Sequence, residues 1–547
     1  MAGKNNKKKQ AQFIKKQHES MKVMHSNWTT LWGEVTKIFM PNKDDIHTWR
    51  DSASKGQEKH NKLFDGSPEH ANELLASALH SFLTNPASHW FGFTTGDREI
   101  DKIQRVKLYL QKFVRAVHVE LNNSNFQSEI HEIYLDLGCL GTGVLRIDEN
   151  EDENEDSILN FKARPINQCF IRENVDGRVH TLSTEDVMTV REAFRKYTEA
   201  AFGEEAARLG KDLDKEITII HMIMPREDLP DGGAKSQFNK PFISLHVWGE
   251  KDILLREKGF DEFPYVVPRW TKKSGELFGR SPAMKALPDG RMLQSIKKTV
   301  IRGAQKMVDP PLQVPDDGLL GRPNTTPGGL TTYRAGTKDR IEPLLTGGRP
   351  DLGQAQIEDS RDQIKKHFFV DQFQLINKDR MTQDEVNIRD DDRLRILGPI
   401  VGRLHFEFLK PMIARIVRIM IAKGKVPKGM PPELKGLNLH VFYTSQLARA
   451  LMLIESQNMD RFISSVVPVA QIDPSAWDLI DTDAYVRYRA ETFGIAEEVL
   501  RAPDKVKEIR TARQDAMEKK AAAQANLDKS QAMKNTAPVV QAMQNAG

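Results

Sequence analysis

Apolar residues recur at helical spacing through much of the first third of this chain. Trp28, Leu31, Trp32, Val35 and Phe39 fall on one helical face, and Pro41 ends that segment because it has no N–H to continue it. Leu74, Leu75 and Leu79 mark a second amphipathic helix over 67–83. Leu110, Phe113, Val114, Val117 and Leu121 mark a third, and Phe126, Ile130, Ile133, Tyr134 and Leu137 a fourth. The fourth stops at Gly138, Gly141 and Gly143, where glycine tolerates the turn, and the VLRIDE that follows predicts a strand. Residues 217–224, 242–248 and 265–270 are rich in β-branched and aromatic side chains and predict further strands. Thr189 and Glu192 form a T-x-x-E capping box ahead of a helix bearing Val190, Phe194, Tyr197 and Ala201. This order predicts an α+β body in a chain that is mostly helical.

The pattern changes at Pro288-Asp289-Gly290-Arg291. From there to Val308 neither proline nor strand signal intervenes, which predicts one helix about 27 Å long at ~1.5 Å per residue. Its exposed side carries Arg291, Lys297, Lys298, Arg302 and Lys306, and Asp309-Pro310-Pro311 stops it. Residues 309–353 hold seven prolines, many glycines and short strand-like pieces such as LTTYRAG, so they read as a compact excursion. A helix returns through 354–369, and the polar QFQLINKDR (372–380) shows no period. Thr382 and Glu385 form a second capping box opening a long helix. Its seam is Leu397, Val401, Leu404, Phe408, Met412, Ile416 and Met420, and Gly398-Pro399 and Pro411 kink it without ending it. Residues 505–547, rich in Ala, Gln, Lys and Met, read as helix fading into a mobile tail.

At 547 residues the chain exceeds what one core holds, so several domains are expected. No run approaches the ~18 uncharged apolar residues of a membrane span. The nearest, 396–422, is interrupted by Arg403, Glu407, Lys410, Arg415 and Arg418. The opening MAGKNNKKKQ has no apolar core or cleavage site of a secretory signal. Cys139 and Cys169 are too few for a disulfide framework or a four-Cys zinc site and suit a reducing compartment. Net charge is a mild +4, with local clusters: Lys4, Lys7, Lys8, Lys9, Lys15 and Lys16 in a basic arm, and seven acids in the nine residues 148–156. Both read as solvated segments.

Catalytic motifs are missing. There is no G-x-x-x-x-G-K-[ST] loop for ATP, and Gly138 to Gly143 is a poor dinucleotide fingerprint that precedes a strand instead of following one. His131-Glu132 lacks the second histidine of a zinc-protease helix, and His60, His70, His80 and His89 read as surface or cap histidines. Asp390, Asp391 and Asp392 read as a solvated face near a helix start. Gly279-Arg280-Ser281-Pro282-Ala283 nearly matches a nucleophile elbow, but Pro282 removes the N–H such an elbow places in its oxyanion hole. No catalytic residue, cofactor or metal is expected.

Three segments, FGRSPAMKALPDGRML (278–293), SEIHEIYLDLGCLGTGVL (128–145) and MTQDEVNIRDDDRLRILGPIVGRLHFEFLKP (381–411), resemble in content and order the portal, or head-to-tail connector, family of short-tailed phages. With their spacing, the resemblance covers about residues 20–500. It implies a portal fold with wing, stem, clip and crown that assembles into a ring around a central channel, dodecameric in the virion. After a flexible basic arm (1–24), the wing would span 25–288, the stem helices 289–308 and 354–370, and the clip 309–353. The channel loop would be 371–381, a long wing helix 382–425, wing and crown helices 426–504, and a crown helix with mobile tail 505–547. The implied partners are double-stranded DNA in the channel, the terminase large subunit, a tail adaptor, scaffolding protein and major capsid protein, with no membrane. The place is the portal vertex of the virion, and the host cytoplasm during assembly. A near-balanced charge suits a conduit, because a ring multiplies every phosphate-binding cation by the subunit number. Gln372, Gln374, Asn377, Lys378 and Arg380 are expected to form a ring of loops narrowing the channel. Lys297, Lys298, Arg302 and Lys306 are expected to divide between the channel wall and ion pairs with Asp359 and Asp362. The rival readings are another non-enzymatic virion ring, such as a tail adaptor or tube, and a nucleic-acid-processing packaging enzyme.

Overall fold

The structure, a computed structural model, describes residues 2–46, 59–150, 156–229, 240–314, 316, 319–322, 324, 326, 329–336, 341–343, 350–373, 397–434, 436–437, 439–443, 459–469, 471, 473–492, 499–501 and 503–544. Helices along the chain include α1 (Ala2–Phe39), α2 (Ser67–Leu83), α3 (Arg98–Lys102), α4 (Gln104–Asn123), α5 (Phe126–Leu140), α6 (Val190–Tyr197), α7 (Ala206–Leu209), α8 (Pro282–Val308), α9 (Pro350–His367) and α10 (Val370–Phe373). The strands are β1 (Phe91–Thr94), β2 (Leu145–Glu149), β3 (Leu159–Ala163), β4 (Cys169–Glu173), β5 (Val179–Thr189), β6 (Glu216–Pro225), β7 (Phe242–Trp248), β8 (Ile253–Phe260), β9 (Tyr265–Val266), β10 (Leu312–Gln313), β11 (Glu342–Pro343) and β12 (His440–Tyr443). The chain forms two compact units. One holds Met1–Trp90 with Ala116–Val426, and the other Phe91–Arg115 with Pro427–Gly547.

The first unit is organised by a five-stranded antiparallel sheet in the order β4-β5-β6-β7-β8. Strand alternation divides its side chains between two faces. Ile220, Met222 and Met224 with Ile243, Leu245 and Val247 pack against Ala11, Ile14 and Met21 of α1. Ile217, Ile219 and Trp248 on the other face pack against Val190, Ala193, Tyr197 and Phe202. The expected flexible arm over 1–24 is therefore corrected: from Ala2 onward the segment is helix. Its lysines conceal an apolar stripe at three- and seven-residue steps that only the sheet can cover. Polar contacts fix the same helix. His18 lies 2.8 Å from both Ser183 Oγ and Glu185 Oε1, and Lys22 donates to Glu185 at 2.9 Å.

A three-stranded sheet, β3-β2-β9, follows the end of α5, where the glycine cluster meets the segment before α8. Gly141 has φ +76, a left-handed C-cap that favours glycine. A Cβ on Gly141 would collide with the Gly279 carbonyl, and one on Gly279 with the Gly141 carbonyl. Trp270 N donates to Gly141 O at 2.9 Å, Gly279 N to Thr142 Oγ1 at 2.8 Å, and Ser281 Oγ to Cys139 O at 2.7 Å. Ser281 Oγ also accepts from Met284 N at 2.9 Å as the N-cap of α8. The elbow-like pentapeptide is thus a helix cap, and α8 begins at Pro282, a first-turn position proline suits. Both cysteines are buried, and burial pushes the Cys169 thiol up to about 12.

In the second unit, which joins Phe91–Arg115 to Pro427–Gly547, β1 pairs antiparallel with β12, Gly92 opposite Phe442. Helix Thr482–Thr492 is joined to helix Pro503–Gln544 by Arg510 and Asp483 at 2.6 Å. The helix expected over 505–547 is present and runs to Gln544. Ala, Gln, Lys and Met are strong helix formers, and the described side chains past Arg510 are exposed.

Candidate functional site

The longest regular feature of the first unit that leaves its core is the pair α8 and α9. Gly353 lies against Val300 and His367 Nε2 lies 3.3 Å from Asp289, so the two helices run antiparallel. The near ends are gripped. Gly290 sits against Ile38 and Phe39, and the Phe39 and Phe368 rings stack at 5.4 Å. Gln294 accepts from Phe64 N at 2.8 Å and donates to Asp65 O at 2.7 Å, while Arg361 holds the Asp65 carboxylate at 2.6 Å. Burial acts to raise that carboxyl, but hydrogen bonds from Arg361 and Ser67 outweigh it and hold it below its ordinary value.

The far end of α8 is bare. Every residue from 301 to 309 is exposed, including Met307 and, at 87%, Val308. Beyond Val308 the described residues make a two-residue ladder, β10 with β11, and a bridge between Leu319 and Tyr333 of the LTTYRAG segment. Leu312, Val314, Leu320 and Leu330 there are also exposed.

Lys298, Arg302 and Lys306 are exposed and Lys297 is half-buried, with Lys298 Nζ 5.5 Å from the Phe64 ring centroid. Among the described residues none of the four pairs with Asp359 or Asp362 within the chain. Both acids are exposed, and Asp362 pairs with Lys365 at 3.3 Å. Arg291, expected on the same exposed side, reaches Glu34 at 2.5 Å.

After α9 the chain turns at Phe369, whose φ of +58 is costly for a side chain of that size. Gln372 lies half-buried in α10, so the first residues of the expected 371–381 loop are helical. Gln374, Asn377, Lys378 and Arg380 lie outside the described residues, as does the capping box at Thr382 and Glu385.

Residues 397–404 are helical and pass through a π-helical turn, His405–Leu409, into the helix Lys410–Ala422. Pro411 has no N–H to give the Glu407 carbonyl, and the wider turn accommodates its ring. The turn aims Glu407 at Arg269, one of the most deeply buried large side chains, which the sequence reading missed. Arg269 donates to both Glu407 oxygens at 3.0 Å, to Glu173, and to the carbonyls of Gly177 at 3.0 Å and Leu277 at 3.3 Å. Lys272 adds contacts to Glu173 at 2.5 and 2.7 Å, and Arg403 to Glu407 at 3.1 Å. This clamp ties the long helix to the β4–β5 hairpin and to the strand-to-α8 connection. The one advance signal was Pro411, which gives no N–H to the carbonyl of Glu407 four residues earlier.

A family model described as bacteriophage head to tail connecting protein matches residues 11–500. The chain belongs to this family. Connector relatives include the probable portal protein of Bordetella phage BPP-1, 29% identical over 521 residues, which is 93% of this chain and 91% of the relative. The portal protein of Salmonella phage epsilon15 is 28% identical, with 91% and 90% covered. The portal protein of Escherichia phage T7 is 20% identical, with 64% of each covered. The connector family is a structural one. Among the described residues no helix is long and apolar enough to cross a membrane.

Proposed function

We propose that the chain is one subunit of a dodecameric ring at a capsid vertex, through which double-stranded genomic DNA enters during packaging and leaves at ejection. The family match over residues 11–500, with portal relatives spanning almost the whole chain, carries this reading. A closed ring needs heterologous contacts, two different faces of each subunit meeting by rotation. On this reading the exposed faces of α8 and α9 make these contacts, α8 presenting Lys298, Arg302 and Lys306 and α9 presenting Glu358, Asp359 and Asp362. On this reading α8 and α9 are the stem, and the excursion between them is the clip. The clip receives first the terminase large subunit and then a tail adaptor, while the scaffolding and major capsid proteins hold the periphery. Lys297, Lys298, Arg302 and Lys306 divide between the channel wall and a neighbour's Asp359 and Asp362. The segment containing Gln372, Gln374, Asn377, Lys378 and Arg380 narrows the bore. The virion is the working location, after assembly in the host cytoplasm.

Mass measurement of the native assembly, with negative-stain imaging, tests the proposal. A closed ring with a central hole is the expected result. A chain that stays monomeric under every assembly condition, including with its scaffold partner, overturns it.

A further inference from the structure

Among the described residues, two sheets of the first unit bring more cations together than the carboxylates they pair with. Arg146 of β2 and Lys162 of β3 are direct cross-strand partners, a like-charge pairing that works against the sheet. Arg256 of β8 is the partner of His246, whose ring stacks at 3.9 Å on His221. Arg164 and Lys196 both draw on Asp186, Lys196 from 4.0 Å, and Arg146 Nε lies 2.5 Å from Asp148. Among the described residues, Arg146 pairs with Asp148, Arg164 and Lys196 pair with Asp186, and Lys162 and Arg256 make no ion pair, while burial keeps His221 and His246 uncharged. Burial also lowers the Lys196 ammonium; Asp186 opposes that, and Arg146, Arg164 and Lys162 reinforce it. Arg164 Nε and Thr184 Oγ1, shielded from solvent, have no hydrogen-bond partner among the described residues.

A cluster of like charges partly withdrawn from water is unfavourable unless an anion joins it. Guanidinium forks with an ammonium beside them match the several acceptor oxygens of a phosphate group better than a single carboxylate. We propose that Arg146, Lys162 and Lys196, with Arg164 and Arg256 adding to the field, form a binding site for a phosphate-class oxyanion. The source is either free phosphate or a phosphate of the DNA backbone, and the chemistry of recognition is the same. The proposal does not depend on ring formation.

The test is the thermal unfolding of the full chain in sodium chloride, in sodium phosphate at matched ionic strength, and in chloride with a short duplex oligonucleotide. Phosphate at about ten times its dissociation constant should raise the unfolding temperature by roughly 1–2 °C over chloride. If DNA is the source, the oligonucleotide produces the rise at far lower concentration, and if free phosphate is the source it produces none. Lys162→Gln, at an exposed side chain, should unfold in chloride no earlier than the parent, because it removes the repulsion, yet lose most of the phosphate gain. Arg146→Gln should lose that gain as well. Equal unfolding temperatures in all three conditions, or a gain that persists in both variants, overturns the proposal.

Discussion

Replacing Arg269 by methionine removes five hydrogen-bond contacts from a buried site while keeping most of the side-chain volume. Breaking a buried ion pair on one side costs about 3–5 kcal/mol, because the partner charge stays behind without its counter-ion. Two features set the expected value at the lower end. Glu173 keeps Lys272 at 2.5 and 2.7 Å, and Glu407 keeps Arg403 at 3.1 Å. Against that, the carbonyls of Gly177 and Leu277 lose their donor. A loss of about 3 kcal/mol follows, felt where the clamp joins the π-helical turn to the β4–β5 hairpin. In a chain of two units a single global unfolding energy is poorly defined, so the assay should be local. Hydrogen exchange in peptides spanning 173–178 and 403–410 should accelerate on the order of 100-fold in Arg269→Met, with far smaller change in α2. Adding Glu407→Leu removes the stranded carboxylate and should recover most of the protection. Exchange within about threefold of the parent in Arg269→Met, or a double variant worse than the single, refutes the reasoning.

Gly141→Ala should destabilise by about 2 kcal/mol or more, read as a lowered unfolding temperature or insoluble expression. It combines a left-handed φ with a collision against the Gly279 carbonyl. Burial lowers His25 to about 4, against a hydrogen bond with Ile166, and lowers His118 to about 4. The unfolded chain therefore takes up protons first, so the stability they contribute is full above about pH 6.5 and falls as pH drops toward 4. At pH 5 each costs roughly 2 kcal/mol, and an unfolding temperature that stays flat from pH 7.5 to 5 contradicts this. Lys298→Glu with Arg302→Glu should block ring assembly in native mass measurements, and adding Asp359→Lys with Asp362→Lys should restore it in part. Unchanged assembly in the first variant removes the stem pairing. Deleting 373–379 should leave rings intact but impair packaging or genome retention, and normal heads would dismiss a channel role for that segment.

What could be read along the chain is what depends on near neighbours. The capping box at Thr189 forms as spelled, Thr189 N donating to Glu192 at 3.1 Å and Glu192 N to Thr189 Oγ1 at 3.3 Å. The glycine turn after Leu137, the stop at Asp309-Pro310 and the proline-distorted long helix likewise follow from φ restriction and missing N–H groups within a few residues. The family resemblance was also legible, because it lies in the order of such local signals. Tertiary structure decided what joins residues more than a hundred positions apart. The Gly141–Gly279 contact explains why two recognisable segments needed glycine, but neither segment names the other. Nothing along the chain set Arg269 apart from the other lysines and arginines until the fold withdrew it from water and placed it between carboxylates. The first helix shows the same dependence, since its Ala11, Ile14 and Met21 stripe is too weak to announce itself among lysines. Burial is a property of the sheet that covers those residues, and hydrophobic free energy scales with the area a partner removes from water.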